Sequence, residues 1–368
     1  MRICFIADAR SVHTQRWVRW FAREHDVALI ATAPDGELAD LCVETLPASA
    51  APGMRLARSI RAVRRRLRAF DPDVVHAHFI NEAGWLAAAA GRRPFVITAW
   101  GSDVYRAPQE SRLARYLNPR AVRSADYVTC DSRDQARMLA GWGVRRERLD
   151  VIGWGVDRTE FHAGVDGSRR RGELGIPADA KVILSPRQWF ENSSIEAIVS
   201  GHALIPGKPH LILKRAPGFD AGPGRAVETA IDASPARERI HVVGQVPASE
   251  LPALYAAADV VVSLCITDGT PVSVLEAMAI GRPIVAFDNP SVAEWVSEPG
   301  GALVTSTDPP VVAAALERWL NANERDIERA STRNRRVVAE RADRSTELGR
   351  MDAIYRRLAA EKDEARGR

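Results

Sequence analysis

Nowhere in its 368 residues does the chain approach the roughly 18 consecutive apolar residues that a membrane-spanning helix needs. The opening MRICFIADAR turns polar at Asp8, too early for the apolar core of a secretory signal. Together these absences set the expectation of a cytoplasmic protein. Cysteine is scarce: Cys4, Cys42, Cys130 and Cys265 lie far apart, and Cys4 and Cys265 fall in apolar strand-like runs, which suggests neither a disulfide framework nor a zinc site. No Gly-x-Gly-x-x-Gly follows RICFIAD, which argues against a dinucleotide-dependent oxidoreductase. Internal repeats and low-complexity tracts are missing as well.

What is present is a globular composition, 46% hydrophobic and 27% charged. The length exceeds one typical hydrophobic core, so two domains with a cleft are expected. Short β-rich runs alternate with helical stretches, the pattern of a parallel sheet wrapped by helices. RICFIAD, DVALIATA, DVVHAHF, PFVITAW, DYVTCDS and LDVIGW form a first series; KVILSP, HLILKR, IHVVGQV, DVVVSLCI, PIVAFD and GALVTS form a second. Between them GVDRTEFHAGVDGSRRRGELGIPADA is polar and without apolar periodicity, and reads as the linker. This predicts an α/β protein of two doubly wound domains, one over 1–160 and one over 175–344. In the last helix, from about 345 to 368, Leu348, Met351, Ile354, Tyr355 and Leu358 make one stripe that docks before a charged tail.

The formal charge of +4 is unevenly spread, because residues 54–70 hold seven arginines and no acid. Leu56, Ile60, Val63, Leu67 and Phe70 give that segment an apolar stripe. Its basic face reads as a solvated surface, or as one that meets an anionic membrane peripherally or an acidic acceptor; no nucleic-acid partner is expected.

In doubly wound sheets ligands sit beyond the carboxyl ends of the strands. In the first half those positions hold Asp8, Ser11 and His13, then His78, then Trp100 and Asp103. In the second half they hold Arg187, Lys214, Arg215, Gln245 and the stretch TDGTPVSVLEAMAIGRPIV. That stretch predicts a buried helix with Thr270 as cap, Pro271 at its first position and Gly281 with Pro283 at its end. Its start would present amides from Gly269 through Val272 to Ser273 to an anion, most simply a diphosphate. Glu276 lies one turn further in among apolar neighbours, where an unpaired carboxylate is rare, so a ligand hydroxyl or an arginine such as Arg187 or Arg282 is expected to partner it. His76 and His78 share a strand face, but no third metal ligand stands out.

These residues resemble the retaining GT-B glycosyltransferases of family 4. That family carries an acidic residue, seven intervening residues and a glutamate; here Asp268 and Glu276 take those places. The resemblance extends over ELPALYAAADVVVSL, GVDRTEF, DPDVVHAHF, WGSDVY and the tyrosine-bearing terminal helix, nearly the whole chain. It implies two Rossmann-like domains facing a cleft, with the C-terminal helix crossing back to the first domain. It also implies sugar transfer from a UDP- or GDP-sugar with retention, without a metal or other cofactor, to an acceptor on the first domain. Glu276 would contact the ribose, Asp268 the sugar hydroxyls, Arg187 and the Gly269–Val272 amides the diphosphate, and Gln245 and Val246 would lie near the base. Asp8, Ser11, His13, His78, Trp100 and Asp103 are the acceptor candidates.

Three positions depart from the family pattern. Asn192 in SPRQWFENSS stands where relatives carry a lysine, so Lys214 or Arg215 is expected to supply the missing cation. Trp100 replaces a histidine, and IADARSVHTQRW replaces a glycine-rich loop. With no obvious nucleophilic carboxylate, front-face attack is the expected route to retention. A nucleotide-sugar epimerase and a catalytically inactive nucleotide-sugar binding protein are the alternatives.

Overall fold

The computed structural model describes residues 1–34, 36–46, 52–215 and 222–367. Its contacts divide the chain into two compact units, 1–154 with 345–368, and 155–344.

The first unit holds seven parallel strands: β1 Arg2–Asp8, β2 Asp26–Ala33, β3 Cys42–Thr45, β4 Val74–His78, β5 Phe95–Thr98, β6 Tyr127–Cys130 and β7 Leu149–Val151. They are ordered β3-β2-β1-β4-β5-β6-β7. Continuous apolar runs are what a sheet covered on both faces requires, and Ile3 to Ala7 are fully buried. All six predicted strands form. The short edge strand β3, CVET, escapes the sequence because it alternates half-buried with exposed residues and carries little apolar signal.

The terminal helix Arg344–Gly367 belongs almost wholly to this unit and buries Leu348, Met351, Ile354, Tyr355 and Leu358, the stripe its sequence predicts. The helix persists through the charged tail to Gly367. Asp352 bonds His25 at 2.7 Å, and the Tyr355 hydroxyl meets the buried His76.

The second unit repeats the plan with six parallel strands: β8 Val182–Ser185, β9 His210–Lys214, β10 Ile240–Val243, β11 Val260–Ser263, β12 Ile284–Phe287 and β13 Gly301–Val304. They are ordered β10-β9-β8-β11-β12-β13. Each sheet therefore reverses its winding direction once, between β1 and β4 in the first and between β8 and β11 in the second. The crevice at such a reversal is where this architecture places ligands.

Residues 155–180 are not a free linker. Phe161 and Ile176 are buried in the core of the second unit, and Gly167 lies so close to the Ala256–Ala257 backbone that a Cβ would approach Ala257 N to 2.3 Å. Arg171 fastens the segment through Ala178, Ala180 and Ala257 carbonyls at 2.8–2.9 Å and Asp259 at 3.1 Å. Three well-spaced buried side chains, Val156, Phe161 and Ile176, anchor this strap, too few to give the periodicity that marks an element.

Candidate active site

The β8/β11 crevice is built from three chain segments. β8 ends two residues before Arg187, and β9 delivers Lys214 as its last residue. β11 leads through Cys265 to the loop 266–271 and the helix Val272–Ile280. Asn192 donates to the Thr267 carbonyl at 2.9 Å, and Ile266 N donates back to the Asn192 carbonyl at 3.0 Å. Trp295 Nε1 donates to Thr270 Oγ1 at 3.1 Å, and Asn289 Nδ2 donates to the Cys265 carbonyl at 2.9 Å. The loop is thus fixed from both sides before any ligand arrives.

Pro271, not Thr270, is the capping residue: its backbone is extended, and its carbonyl accepts from Val274 at 2.9 Å and Leu275 at 3.2 Å. The Thr270 hydroxyl serves Trp295 instead. The Gly269 amide lies on the Asp268 carboxylate, so it is not one of the open donors of the helix start. Gly281 ends the helix as expected, in the left-handed region at φ 93°, where a side chain would be strained and would meet Ser331.

Arg187 reaches Asp268 Oδ2 at 2.7 Å and donates to Ser273 Oγ at 3.2 Å. Burial opposes its charge, but Asp268 and then Cys265 more than compensate, and the guanidinium is held firmly protonated. For Asp268 burial dominates and moves the carboxyl up, with Arg187 and the Gly269 amide opposing it. Burial moves Lys214 down from the usual lysine range, while Glu276 raises it and Arg187 lowers it again, which sets all three within electrostatic reach. Arg215, one residue on, turns elsewhere: it donates to Glu228 at 2.7 Å and lies 5.1 Å from the Trp189 ring centre. Of the two candidates left open by the sequence, Arg215 is thus bound to Glu228, while Lys214 lies within electrostatic reach of Glu276 and Arg187.

Glu276 is 5% exposed, and Tyr255 donates its hydroxyl to Glu276 Oε2 at 3.0 Å. The arginines that sequence reasoning proposed as partners are engaged elsewhere, Arg187 with Asp268 and Ser273 and Arg282 with the Ala256 carbonyl. Tyr255 is the site residue missed from the sequence. ELPALYAAADV reads as an ordinary amphipathic helix, and only the fold brings its tyrosine beneath Glu276. Val246 is buried in the same core cluster, and Gln245 is exposed.

The β1/β4 crevice is aromatic. His78 is buried, with ring centres of Phe5 and Trp17 at 5.3 Å and of Trp100 at 5.7 Å. His13 lies 4.8 Å from Trp154, which packs at 4.7 Å against Trp100. The His78 nitrogens have no hydrogen-bond partner among the described residues, and burial, with His13 adding repulsion, pushes the imidazole down to about 3. His78 is therefore not a rim residue. His76 is shared between Tyr355 and Thr98, and among the described residues no three His, Cys, Asp or Glu side chains are grouped to hold a metal ion.

Asp103 is likewise misplaced by the sequence reading. Its carboxylate accepts from the amides of Ile80 (2.8 Å), Trp100 (3.0 Å) and Gly101 (2.9 Å) and organises that turn from a fully buried position. Burial pushes the carboxyl up to about 6 against those three donors. Asp8 is partly exposed and bound by Arg10 at 2.8–3.0 Å, and Ser11 caps the next helix without a side-chain bond.

Residues 2–132 match the family described as Glycosyl transferase 4-like, and residues 218–322 match Glycosyl transferases group 1. The chain carries both domains of a GT-B glycosyltransferase. TuaC of Bacillus subtilis (strain 168), whose name places it in teichuronic acid biosynthesis as a glycosyltransferase, is 26% identical over 278 residues, 73% of this chain and 67% of that one. D-inositol 3-phosphate glycosyltransferase of Corynebacterium efficiens is 27% identical over 278 residues, 69% of this chain and 64% of that protein, so the match spans just under two thirds of it. In fold, this glycosyltransferase superposes on Anabaena Alr3699/HepE, solved with UDP-glucose, at a TM-score of 0.83 and 20% identity, covering 97% of this chain and all of that one.

Proposed function

We propose that this glycosyltransferase takes a sugar from a UDP- or GDP-sugar bound at the β8/β11 crevice and transfers it with retention to an acceptor held by the first unit, without a catalytic metal. The observation that carries the reading is the meeting of Arg187, Lys214, Asp268 and Glu276 at the sheet reversal, from three separate segments of the chain.

Breaking the sugar–phosphate bond builds negative charge on the leaving diphosphate, and cations already in place for that charge are usually the largest catalytic contribution. Arg187 and Lys214 supply them, with the first amides of the helix Val272–Ile280 at its positive dipole end. In the donor-free site Asp268 holds Arg187. An arriving diphosphate competes for the guanidinium and releases Asp268 toward the sugar hydroxyls. Glu276 accepts the ribose hydroxyls, and Gln245 and Val246 border the base. The acceptor attacks from the face the phosphate leaves, since the two site carboxylates are given to the sugar and ribose hydroxyls and the matched motifs offer no further one as nucleophile. Its binding falls to the aromatic crevice with Ser11, His13 and Trp100.

The test is Glu276→Gln, which keeps the size of the side chain and removes its charge. We expect about a tenfold or greater loss in kcat/KM for the donor, with an unchanged circular dichroism spectrum. Wild-type kcat/KM in a folded variant would overturn the assignment, and donor conversion without acceptor would mark an epimerase instead. No helix among the described residues is long and apolar enough to cross a membrane; the basic face of the helix Pro52–Phe70 is proposed to hold the enzyme peripherally at an anionic surface.

A further inference from the structure

We infer that Tyr255 is a positioning residue for the donor's ribose, acting through Glu276, and that the strap 155–180 holds it in place. The inference rests on reading Glu276 as the ribose contact. Tyr255 is 2% exposed and comes from the helix Leu251–Ala256, and its hydroxyl donates to Glu276 Oε2 at 3.0 Å. A glutamate on a helix has three rotatable bonds and no intrinsic orientation. Fixing one oxygen to a rigid phenol sets the plane of the carboxylate and hence the direction in which it accepts further hydroxyls.

The phenol is itself clamped. Phe161 of the strap packs edge-on against the Tyr255 ring, with centres 5.9 Å apart at 70°. Gly167 lies against the backbone of Ala256 and Ala257, the two residues after Tyr255, and Arg171 binds the Ala257 carbonyl at 2.8 Å. The strap therefore closes over the very turn that carries the tyrosine.

The test compares ribose recognition directly. Whichever of UDP, GDP, ADP and CDP binds wild type tightest is titrated by calorimetry beside its 2′,3′-dideoxy analogue, on wild type, Glu276→Gln and Tyr255→Phe. Wild type is expected to prefer the ribose form by about tenfold or more, and both variants to bring the ratio down to within about two- to threefold. Tyr255→Phe keeps the ring and its contact with Phe161, and a partly unfolded sample affects both ligands alike, so the ratio separates positioning from loss of fold. If Tyr255→Phe keeps the wild-type ratio while Glu276→Gln collapses it, the positioning role is overturned. If Glu276→Gln also keeps it, the ribose contact fails first and the inference with it; binding of none of the four would sink the donor reading.

Discussion

At the carboxyl ends of β8, β9 and β11 the second unit gathers two cations and two carboxylates, while the corresponding edge of the first unit gathers imidazoles and indoles around β1 and β4. The two sheets share a winding pattern and a reversal point, so the difference is not one of architecture. It lies in the residues at and after the strand ends: Arg187, Lys214 and Asp268 in one, His13 and Trp100 over the buried His78 in the other. Topology supplies the place, and the loops supply the chemistry. On the proposed reading, a charged rim compensated by its own partners, Arg187 against Asp268 and Lys214 near Glu276, would exchange those partners for a diphosphate. An aromatic rim offers ring faces and little charge, which suits a neutral or carbohydrate surface.

The largest effect that tests this contrast is on the charged side. Lys214→Ala removes the cation proposed to stand in for the lysine that the resemblance leads one to expect at Asn192, and we expect turnover to fall by about a hundredfold, the scale of losing one preorganised charge partner. Asn192→Ala, at the family lysine position itself, only frees the Thr267 carbonyl and loosens the loop, so a loss of about tenfold or less is expected. Steady-state kinetics on the two variants decide the matter, and the reverse order would end the idea that the cation has moved to β9.

Much of this rim was legible in the sequence. Twelve of the thirteen strands stand out as apolar runs, the central ones because parallel strands buried on both faces cannot be written otherwise; CVET at the sheet edge lacks that constraint. Glu276 was visible as an acid in an apolar helix, and its partner was not, since Tyr255 lies 21 residues away on a helix with a packing role of its own. Asp103 looked like a site residue for the opposite reason. An acid after a strand reads as ligand-facing, and nothing in WGSDVY says that three backbone amides fold back onto it. The strap was hidden because its attachment depends on a few isolated buried side chains, one arginine and a close glycine rather than on a repeating pattern.

On the aromatic side the contrast predicts a pH effect. His78 is neutral when folded, with its imidazole pushed down to about 3, whereas an unfolded histidine titrates near 6.5. Between those values the unfolded chain binds the extra proton, so stability is full above about pH 6.5 and falls as the pH drops, at up to about 1.4 kcal/mol per pH unit from this residue. His76 is also moved well below its usual value and adds to the slope, while the partly exposed His13 is the other imidazole facing this ring. His78→Phe removes one buried imidazole and should flatten the stability profile between about pH 6 and pH 4 by that amount per unit. Urea unfolding followed by tryptophan fluorescence reads it, because Trp17, Trp100 and Trp154 all pack on His78. An unchanged slope would mean that the imidazole is not kept neutral in the native state, and the description of this crevice as apolar would fall.

The smallest expected effect concerns what the two units do with arginine. In the second, Arg187 is enclosed and matched with Asp268; in the first, Arg58, Arg61, Arg64, Arg65 and Arg68 lie exposed along one helix. Glu44 pairs with Arg65 and Arg66, and Arg64 donates to the Ala89 carbonyl, so the face is only partly neutralised. Each arginine near an anionic bilayer contributes about 1 kcal/mol, and the attraction reaches about 10 Å at 0.1 M salt but only about 3 Å at 1 M. Sedimentation with phosphatidylglycerol-containing vesicles should therefore capture the enzyme at low salt, release it at high salt and leave neutral phosphatidylcholine vesicles bare. Replacing Arg58, Arg61 and Arg68 together by glutamine should weaken capture without changing donor kinetics, because none of the three lies in the unit that holds Arg187 and Lys214. No capture at low salt would return this helix to an ordinary solvated face and leave the charge contrast to the buried rim alone.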